Sequence, residues 1–149
     1  VLTTPYFVPG PALALGLQNA AMRGVEVIII LPAVNDSKLV TYASRAFFDE
    51  LLAAGAQILQ FEGGLLHTKS VTIDDSFALF GTVNLDMRSL HLNFELMLVV
   101  YDSGFNAALL ALQRSYARNA RALDAAAWQA RPARERLLEG VASLVAPIL

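Results

Sequence analysis

The chain has 149 residues, a formal net charge of -2 and no cysteine. This length suits one domain with its own core, and the missing thiols exclude disulfides, thiolate metal sites and cysteine nucleophiles. The slightly acidic balance gives no general attraction to nucleic acid. Because 56% of the residues are hydrophobic, we expect either a core covered on both sides or an apolar surface for another element, another domain or lipid. No apolar run has the length of a transmembrane helix.

The first third of the chain predicts two strand–helix units. LTTPYFVP (2–9) predicts a strand, and a helix over residues 11–23 begins with proline, where its missing N–H costs least. VEVIIILP (25–32) is a continuous apolar strand of the kind that is buried between helices. Capping residues predict a second helix over residues 37–52, which Gly55 ends.

Beyond this helix the hydrophobic period changes to that of strands. Residues 57–61 predict a short strand, and three further strands follow, the first two joined by a turn at Asp74-Asp75-Ser76: HTKSVTI (67–73), FALFG (77–81) and ELMLVVY (95–101). The pattern then becomes helical, with arginines at the spacing of a solvated face between Arg114 and Arg136. A final helix from about Pro132 ends in VAPIL. These elements predict an α/β fold, an α-β-α sandwich with a mixed β-sheet flanked by helices.

A polar pair opens the strand-rich segment. Side chains at positions i and i+2 of a strand share a face, so His67 and Lys69 are expected to project together. On the same face Val71 and Ile73 are expected to enter the core. We therefore predict a strand whose first residues open into a cleft, although the pair alone also suits an exposed strand end.

The next strand adds an amide and a hydroxyl to this pair. A hairpin would return Asn84 beside His67, while Gly81 permits a close backbone approach and Thr82 supplies the hydroxyl. With no competing carboxylate, these groups predict a pocket for a tetrahedral oxyanion: Lys69 would neutralise phosphate, and histidine would attack or shuttle protons. No metal is expected, because the chain has two histidines, no HExxH motif and a lysine beside His67.

These residues stand in a fixed pattern, H-x-K-x4-D-x6-G-T-x-N, formed by His67, Lys69, Asp74, Gly81, Thr82 and Asn84. The pattern resembles the HKD signature of the phospholipase D superfamily. The flanks TTPYFVP and LDMRSLHLNFE, and the tail with Trp128 and Arg131-Pro132, are similar to the C-terminal half of bacterial cardiolipin synthases. The departures are Thr82, where the family commonly has serine, and Gly10, where a polar or acidic residue is expected.

The resemblance implies a phospholipase D-like domain over residues 1–149, the second HKD half of a longer two-motif enzyme. It implies a phosphatidyltransferase that makes cardiolipin and glycerol from two phosphatidylglycerol molecules through a phosphatidyl-histidine, without a metal or organic cofactor. The implied catalytic residues are those of the motif itself, His67 as nucleophile or general acid, Lys69 and Asp74. Lys69, Thr82 and Asn84 are the implied phosphate-binding residues. Glu95 matches a family carboxylate that hydrogen-bonds the histidine ring, a contact that also fixes a histidine tautomer.

One H-x-K motif is half of a site. In-line displacement at phosphorus needs a nucleophile on one side and an acid for the leaving oxygen on the other. We expect the second motif from the N-terminal half of the same polypeptide or from a homodimer mate. The resemblance also implies phosphatidylglycerol or another anionic phospholipid as substrate and a peripheral position at the bacterial inner membrane, with anchors outside these residues and no nucleic acid. The alternatives are a phospholipase D-like phosphodiesterase or nuclease acting as a homodimer, and a non-catalytic docking half.

Several neighbouring residues keep two interpretations. Asp74 suits a turn former or the partner of a buried cation, and Arg88 suits a partner of Asp86 or Asp74 or a contact for an anionic headgroup. His91 has no lysine two residues later, so we expect it in a loop or a lipid-facing cleft and not as a second catalytic histidine. The apolar terminal helix is expected to pack on the core or on another half.

Overall fold

The computed structural model describes residues 1–144, and a seven-stranded mixed sheet forms its framework. The strands are β1 (Leu2–Thr3), β2 (Phe7–Val8), β3 (Ile28–Pro32), β4 (Gln57–Phe61), β5 (Ser70–Ile73), β6 (Phe77–Gly81), β7 (Leu85–Asp86), β8 (Met97–Val100) and β9 (Ala120–Ala122). Their spatial order in the seven-stranded sheet is β8-β6-β5-β1-β3-β4-β9. In this sheet β1, β3 and β4 run parallel to one another, and the other neighbouring pairs are antiparallel.

Seven helices in the described residues accompany the sheet. They are α1 (Pro11–Met22), α2 (Lys38–Arg45), α3 (Phe48–Ala53), α4 (Met87–His91), α5 (Ser103–Arg118), α6 (Ala125–Gln129) and α7 (Ala133–Ser143). As predicted, proline opens α1 and a capping residue opens α2, where the Ser37 hydroxyl accepts the Val40 N–H at 3.2 Å. Gly55, which follows α3, has a φ of 95° that glycine adopts without a steric penalty.

The core lies on both faces of the central parallel strands, because successive side chains of a strand point to opposite faces. Ile29 and Ile58 pack in the larger apolar cluster, with α1 and α3. Ile30 and Leu59 pack in a second cluster that includes Tyr116 of α5. The predicted α/β sandwich, a mixed sheet flanked by helices, is therefore confirmed.

Two of the predicted elements are each divided in the structure. The segment 2–9 forms two short strands, because Pro5 lacks the N–H that a ladder needs and Thr4 donates its hydroxyl to the Tyr6 carbonyl at 2.8 Å. β1 joins the main sheet, and β2 pairs with β7 in a small separate sheet. The helix predicted over residues 37–52 is interrupted at residues 46–47 and forms α2 and α3.

The prediction of a solvated helix face between Arg114 and Arg136 was wrong in two places. Residues 120–122 form β9, which pairs antiparallel with β4 at the edge of the sheet. Arg131 is largely buried, with 7% of its side chain exposed, and its guanidinium contacts Asp49 at 2.8 Å and Glu139 at 2.7 Å. These ion pairs fix α7 beside α3.

Part of the high hydrophobic content of the chain lies at the surface, as exposed apolar side chains. β8 is the free edge of the sheet, and Leu98, Val99 and Tyr101 in and after it are 52%, 48% and 80% exposed. In α7, Leu137 and Val141 are also exposed, whereas Glu139 and Ala142 are buried. Of the two expectations for the terminal helix, packing of most apolar residues on the core was wrong, and docking on another half stays a prediction. VAPIL lies outside the described residues. No helix within residues 1–144 is both long and apolar enough to cross a bilayer.

Candidate active site

His67 lies shortly before β5, outside any helix or strand, and not inside a strand as predicted. Its side chain is exposed, and the edge of its ring faces Tyr6, with ring centroids 6.4 Å apart and planes at 88°. Both rings border a groove that also includes Asp36 and Leu65. The imidazole is thus accessible to a ligand.

β5 begins at Ser70, and its buried face carries hydroxyls. Ser70 and Thr72 are both buried. The side chain of Gln113 in α5 accepts a hydrogen bond from the Thr72 hydroxyl at 2.7 Å and donates one to the Ser70 hydroxyl at 3.1 Å. The expectation that Val71 and Ile73 both enter the core was wrong for Ile73, which is 41% exposed. Val71 packs against the larger core cluster. Gln113 makes this polar interior possible, because it satisfies both hydroxyls.

Lys69 places a buried ammonium at the backbone of His67. The Lys69 side chain is withdrawn from water and donates to the His67 carbonyl at 2.9 Å. Burial lowers the pKa of Lys69, against the attraction of Glu95 and Asp86, which raises it. No carboxylate within residues 1–144 lies at ion-pair distance from this ammonium. A buried cation with so few partners favours the approach of an anion.

Asn84 is held by a chain of hydrogen bonds that ends at Glu95. Its amide nitrogen donates to the Ser89 hydroxyl at 3.2 Å, and that hydroxyl donates to the Glu95 carboxylate at 3.4 Å. Hydrogen bonds from Thr82, Asn93 and Ser89, together with the Lys69 charge, hold the pKa of Glu95 below its ordinary value. Among the described residues Glu95 therefore fixes Ser89 and Asn84, and no hydrogen bond joins its carboxylate to the His67 ring.

Thr82 lies at the junction between β6 and β8. Its hydroxyl accepts the Leu96 N–H at 2.9 Å, so this group joins the two strands. Gly81 permits the close approach that the sequence predicts, because a Cβ there would collide with the Leu96 carbonyl oxygen. The Thr82 hydroxyl thus ties the end of β6 to the residue after Glu95, and its predicted contact with phosphate stays a prediction.

Asp74 is not brought to His67. It lies in the turn after β5, whereas His67 precedes the same strand, and an extended segment of seven residues spans about 20 Å. Asp74 has a φ of 47°, and its carbonyl accepts the Asn106 amide at 2.8 Å. The structure gives Asp74 the role of a turn residue, which was one of its two interpretations.

A second cleft adjoins the His67 groove and contains carboxylates that were not expected there from the sequence. Its wall includes Asn84, Asp86 and Arg88, and it shares Tyr6 and Asp36 with the groove. Asp86 is buried and accepts the Ser89 N–H at the start of α4, and burial raises the pKa of its carboxyl. The prediction of a pocket without competing carboxylates was therefore wrong.

Arg88 and His91 both belong to the short helix α4, so the expectation of a loop for His91 was wrong, and its place in a lipid-facing cleft stays a prediction. Arg88 is exposed at the cleft, and no acidic side chain within residues 1–144 lies at ion-pair distance from it. His91 is exposed at the end of the helix. No group of three histidine, aspartate or glutamate side chains in the described part of the chain is arranged to hold a metal ion.

Comparison with known proteins gives the family. Residues 1–115 match the model of the cardiolipin synthase, PLD-like domain. The chain belongs to this family. It is also 57% identical over 149 residues to cardiolipin synthase A of Salmonella arizonae, which covers all of this chain and 31% of that protein. The chain thus spans less than a third of the length of this curated relative.

Two solved structures show the same PLD-like fold. Nuc from Salmonella typhimurium, a phospholipase D family member, has a TM-score of 0.71 at 19% identity over 82% of this chain and 79% of its own. Phosphatidylserine synthase from Haemophilus influenzae has a TM-score of 0.75 at 20% identity over 99% of this chain and 41% of its own. At this level of identity the likeness concerns the fold alone.

The pair formed by Tyr6 and Asp36 was not predicted from the sequence. The Tyr6 hydroxyl donates to the Asp36 carboxylate, with both carboxylate oxygens 2.9 Å away. Burial and this hydrogen bond raise the pKa of Tyr6. The pair joins two loops that lie 30 residues apart in this PLD-like domain. In the sequence, one signal indicated Asp36, its place among the capping residues that follow the strand predicted over residues 25–32, and none indicated Tyr6, which lies inside the strand predicted over residues 2–9.

Proposed function

We propose that this chain supplies one half of the active site of a phosphatidyltransferase that makes cardiolipin from phosphatidylglycerol. The observation that carries the proposal is the buried Lys69 ammonium, which is bound to the His67 carbonyl and has no carboxylate at ion-pair distance in the described residues. A phosphodiester supplies the negative charge that this position lacks. The similarity to cardiolipin synthase A along the whole of this chain supports the choice of lipid.

The chemistry is a double displacement shared by two histidines, one of which is His67. An imidazole nitrogen of the first attacks phosphorus, the bond from phosphorus to the glycerol oxygen breaks, and the second histidine gives its proton to that oxygen. A hydroxyl of a second phosphatidylglycerol then attacks phosphorus, the phosphorus–nitrogen bond breaks, and the hydroxyl proton passes to the second histidine. The products are cardiolipin and glycerol.

In this proposal Lys69 neutralises the phosphate oxygens, and the second amide proton of Asn84 is donated to them. Glu95 keeps Asn84 oriented through Ser89, and Thr82 supports Glu95. Asp74 acts through the turn it forms and not on the substrate. No metal ion or organic cofactor takes part in these steps.

The second histidine is proposed to come from an N-terminal HKD half of the same polypeptide, with a second copy of this chain as the other possible source. The 31% coverage of the curated relative leaves ample length for such a half. We place the enzyme at the surface of the bacterial inner membrane, where phosphatidylglycerol is presented. Arg88, exposed and without an acidic partner in the described residues, is positioned to meet an anionic headgroup there.

The test is lipid turnover by the natural polypeptide that contains this chain. It is supplied with phosphatidylglycerol vesicles, and the products are separated by thin-layer chromatography. We expect His67→Ala to reduce cardiolipin formation at least about 1,000-fold, as for other catalytic groups that act as a unit. The matched control is His91→Ala, which removes the other histidine and should keep most of the activity.

Other outcomes identify the alternative functions. DNA cleavage without lipid turnover would indicate a phospholipase D-like nuclease. Full lipid turnover by the His67→Ala variant would indicate a docking half without a catalytic role.

A further inference from the structure

The cleft beside His67 carries more hydrogen-bond acceptors than its own donors satisfy. The Asp36 carboxylate receives one proton, that of Tyr6, although an ionised carboxylate offers about four acceptor sites. The Asn84 Oδ1 atom is buried and has no partner within residues 1–144. Both residues line the same cleft. A buried acceptor left without a donor costs free energy, so the Asn84 Oδ1 atom favours a ligand that brings donors, and the exposed Asp36 carboxylate is open to the same ligand.

The nature of those donors follows from the neighbouring phosphate site. In the proposed function the phosphate carries a glycerol headgroup, whose free hydroxyls are neutral donors. A neutral hydroxyl donates to a carboxylate without adding charge. A polyhydric alcohol esterified to the phosphate therefore satisfies both parts of the site.

We propose that Asp36, held in place by Tyr6, binds the non-reacting hydroxyl of the glycerol headgroup and thereby selects a polyhydric alcohol as substrate. This inference rests on the proposed phosphatidyl transfer and names the group that determines its alcohol specificity. Asp36 is exposed, so a ligand reaches it, and the short contacts to Tyr6 fix the direction of its carboxylate. The Tyr6 ring also borders His67, which places the alcohol subsite next to the reacting histidine.

The experiment compares two alcohols as acceptors in the same reaction. The natural polypeptide that contains this chain receives phosphatidylglycerol labelled in its acyl chains and either deuterated glycerol or 1-propanol, which has the same carbon chain and one hydroxyl. Mass spectrometry measures deuterated phosphatidylglycerol and phosphatidylpropanol. Since both products arise from the same phosphatidyl-enzyme, the ratio of the two kcat/KM values for the acceptors isolates recognition of the additional hydroxyls.

We expect Asp36→Ala to lower the glycerol-to-propanol ratio by about 10-fold or more, the effect of losing a hydrogen bond to a charged group. Asp36→Asn keeps a carbonyl acceptor and should lower the ratio less. Tyr6→Phe removes the contact that fixes Asp36 and should also lower it less than Asp36→Ala does. Asp75→Ala, an exposed aspartate in the turn after β5, should leave the ratio unchanged.

The inference is overturned if Asp36→Ala changes both rates by the same factor or leaves both unchanged. A wild-type protein that transfers phosphatidyl groups with no preference for glycerol over propanol would also overturn it, and the proposed function would stand. If the wild type forms neither product nor cardiolipin, the proposed function itself fails. A thermal melt of each variant distinguishes a loss of specificity from a loss of folding.

Discussion

At the scale of single residues, the site depends on charges that the fold removes from water. Lys69 and Asp86 are both buried, and burial lowers the pKa of the lysine and raises that of the aspartate. Both shifts disfavour the charged form, which is a free-energy cost of folding at neutral pH. Such costs are common where a site must bind a charged ligand.

The raised pKa of Asp86 gives a pH-dependent prediction. Between its ordinary pKa of 3.8 and its raised pKa in the folded chain, Asp86 binds more protons in the folded chain than in the unfolded chain. The contribution of Asp86 to the free energy of unfolding therefore falls as the pH rises through this range. Asp86→Asn does not titrate and keeps an oxygen for the Ser89 N–H. We expect the variant to melt at a higher temperature than the wild type at pH 7, with the difference shrinking toward pH 3.8. A difference that grows on acidification would contradict this account.

The sequence predicted the hairpin that joins the H-x-K segment to Gly81, because hairpin geometry is local, and the Gly81 N–H donates to the Lys69 carbonyl at 3.3 Å. The proximity of Asn84 to His67 stays a prediction. The sequence did not predict Asp36, because that carboxylate arrives from a loop that the motif does not contain. It also did not predict the hydrogen bonds of Glu95 to Ser89 and Asn93, which depend on how the chain folds after Asn84. The hydrogen-bond partners of a side chain depend on tertiary packing, whereas the pairing of two strands in a hairpin can be predicted from the sequence.

At the scale of secondary-structure elements, the close pairing of β6 with β8 positions Thr82 and Glu95. Gly81 lies opposite Met97 in this pairing, and a side chain at residue 81 would strike the Leu96 carbonyl. The absence of a side chain at this residue is therefore a requirement of the site.

We expect Gly81→Ala to destabilise the domain by about 1–3 kcal/mol, because the β6 and β8 backbones must separate. Gly16→Ala is the matched control. Gly16 lies inside α1 with open space where a methyl group would lie, so alanine there should stabilise by about 0.5–1 kcal/mol. Urea unfolding measures both free energies. Equal effects of the two substitutions would show that the close strand approach is not required.

The attachment of α7 gives a second prediction at this scale. Glu139 is 2% exposed and joins two arginines, with contacts of 2.9 Å to Arg45 and 2.7 Å to Arg131. Glu139→Ala leaves these guanidinium groups without their shared carboxylate and should cost about 3 kcal/mol in the free energy of unfolding.

The control for this substitution is the exposed pair formed by Glu62 and Arg121. Glu62→Ala should cost less than about 1 kcal/mol, because water screens that pair. Hydrogen exchange of the α7 amides locates the effect, and we expect faster exchange in the Glu139 variant. Unchanged protection of α7 would contradict a docking role for Glu139.

The elements themselves were predictable where hydrophobic pattern and turn chemistry agree. β4 has the predicted bounds, because glycine residues stand close to both of its ends. α1 begins at the predicted residue, because proline opens it. β9 was not predicted because its residues, ARA, have no strand preference. They form a strand because they pair with the outer edge of β4, which is a tertiary contact. The interruption between α2 and α3 was missed because no proline or glycine marks it.

At the scale of the whole molecule, the domain exposes His67, the proposed catalytic histidine, and several large apolar side chains. Exposed apolar side chains recur along β8 and α7, and contiguous surfaces of such side chains usually meet a partner. In our proposal the partner contributes the second histidine. The requirement for two histidines is therefore a property of the assembly and not of this chain alone.

The most direct test of the half-site account is cardiolipin formation by the 149-residue chain alone. The chain is assayed with phosphatidylglycerol at a concentration where analytical ultracentrifugation shows a monomer, beside the longer natural polypeptide. We predict no cardiolipin above the enzyme-free background from the monomer and His67-dependent cardiolipin from the longer polypeptide. Sustained, His67-dependent cardiolipin formation by the monomeric chain would contradict the account.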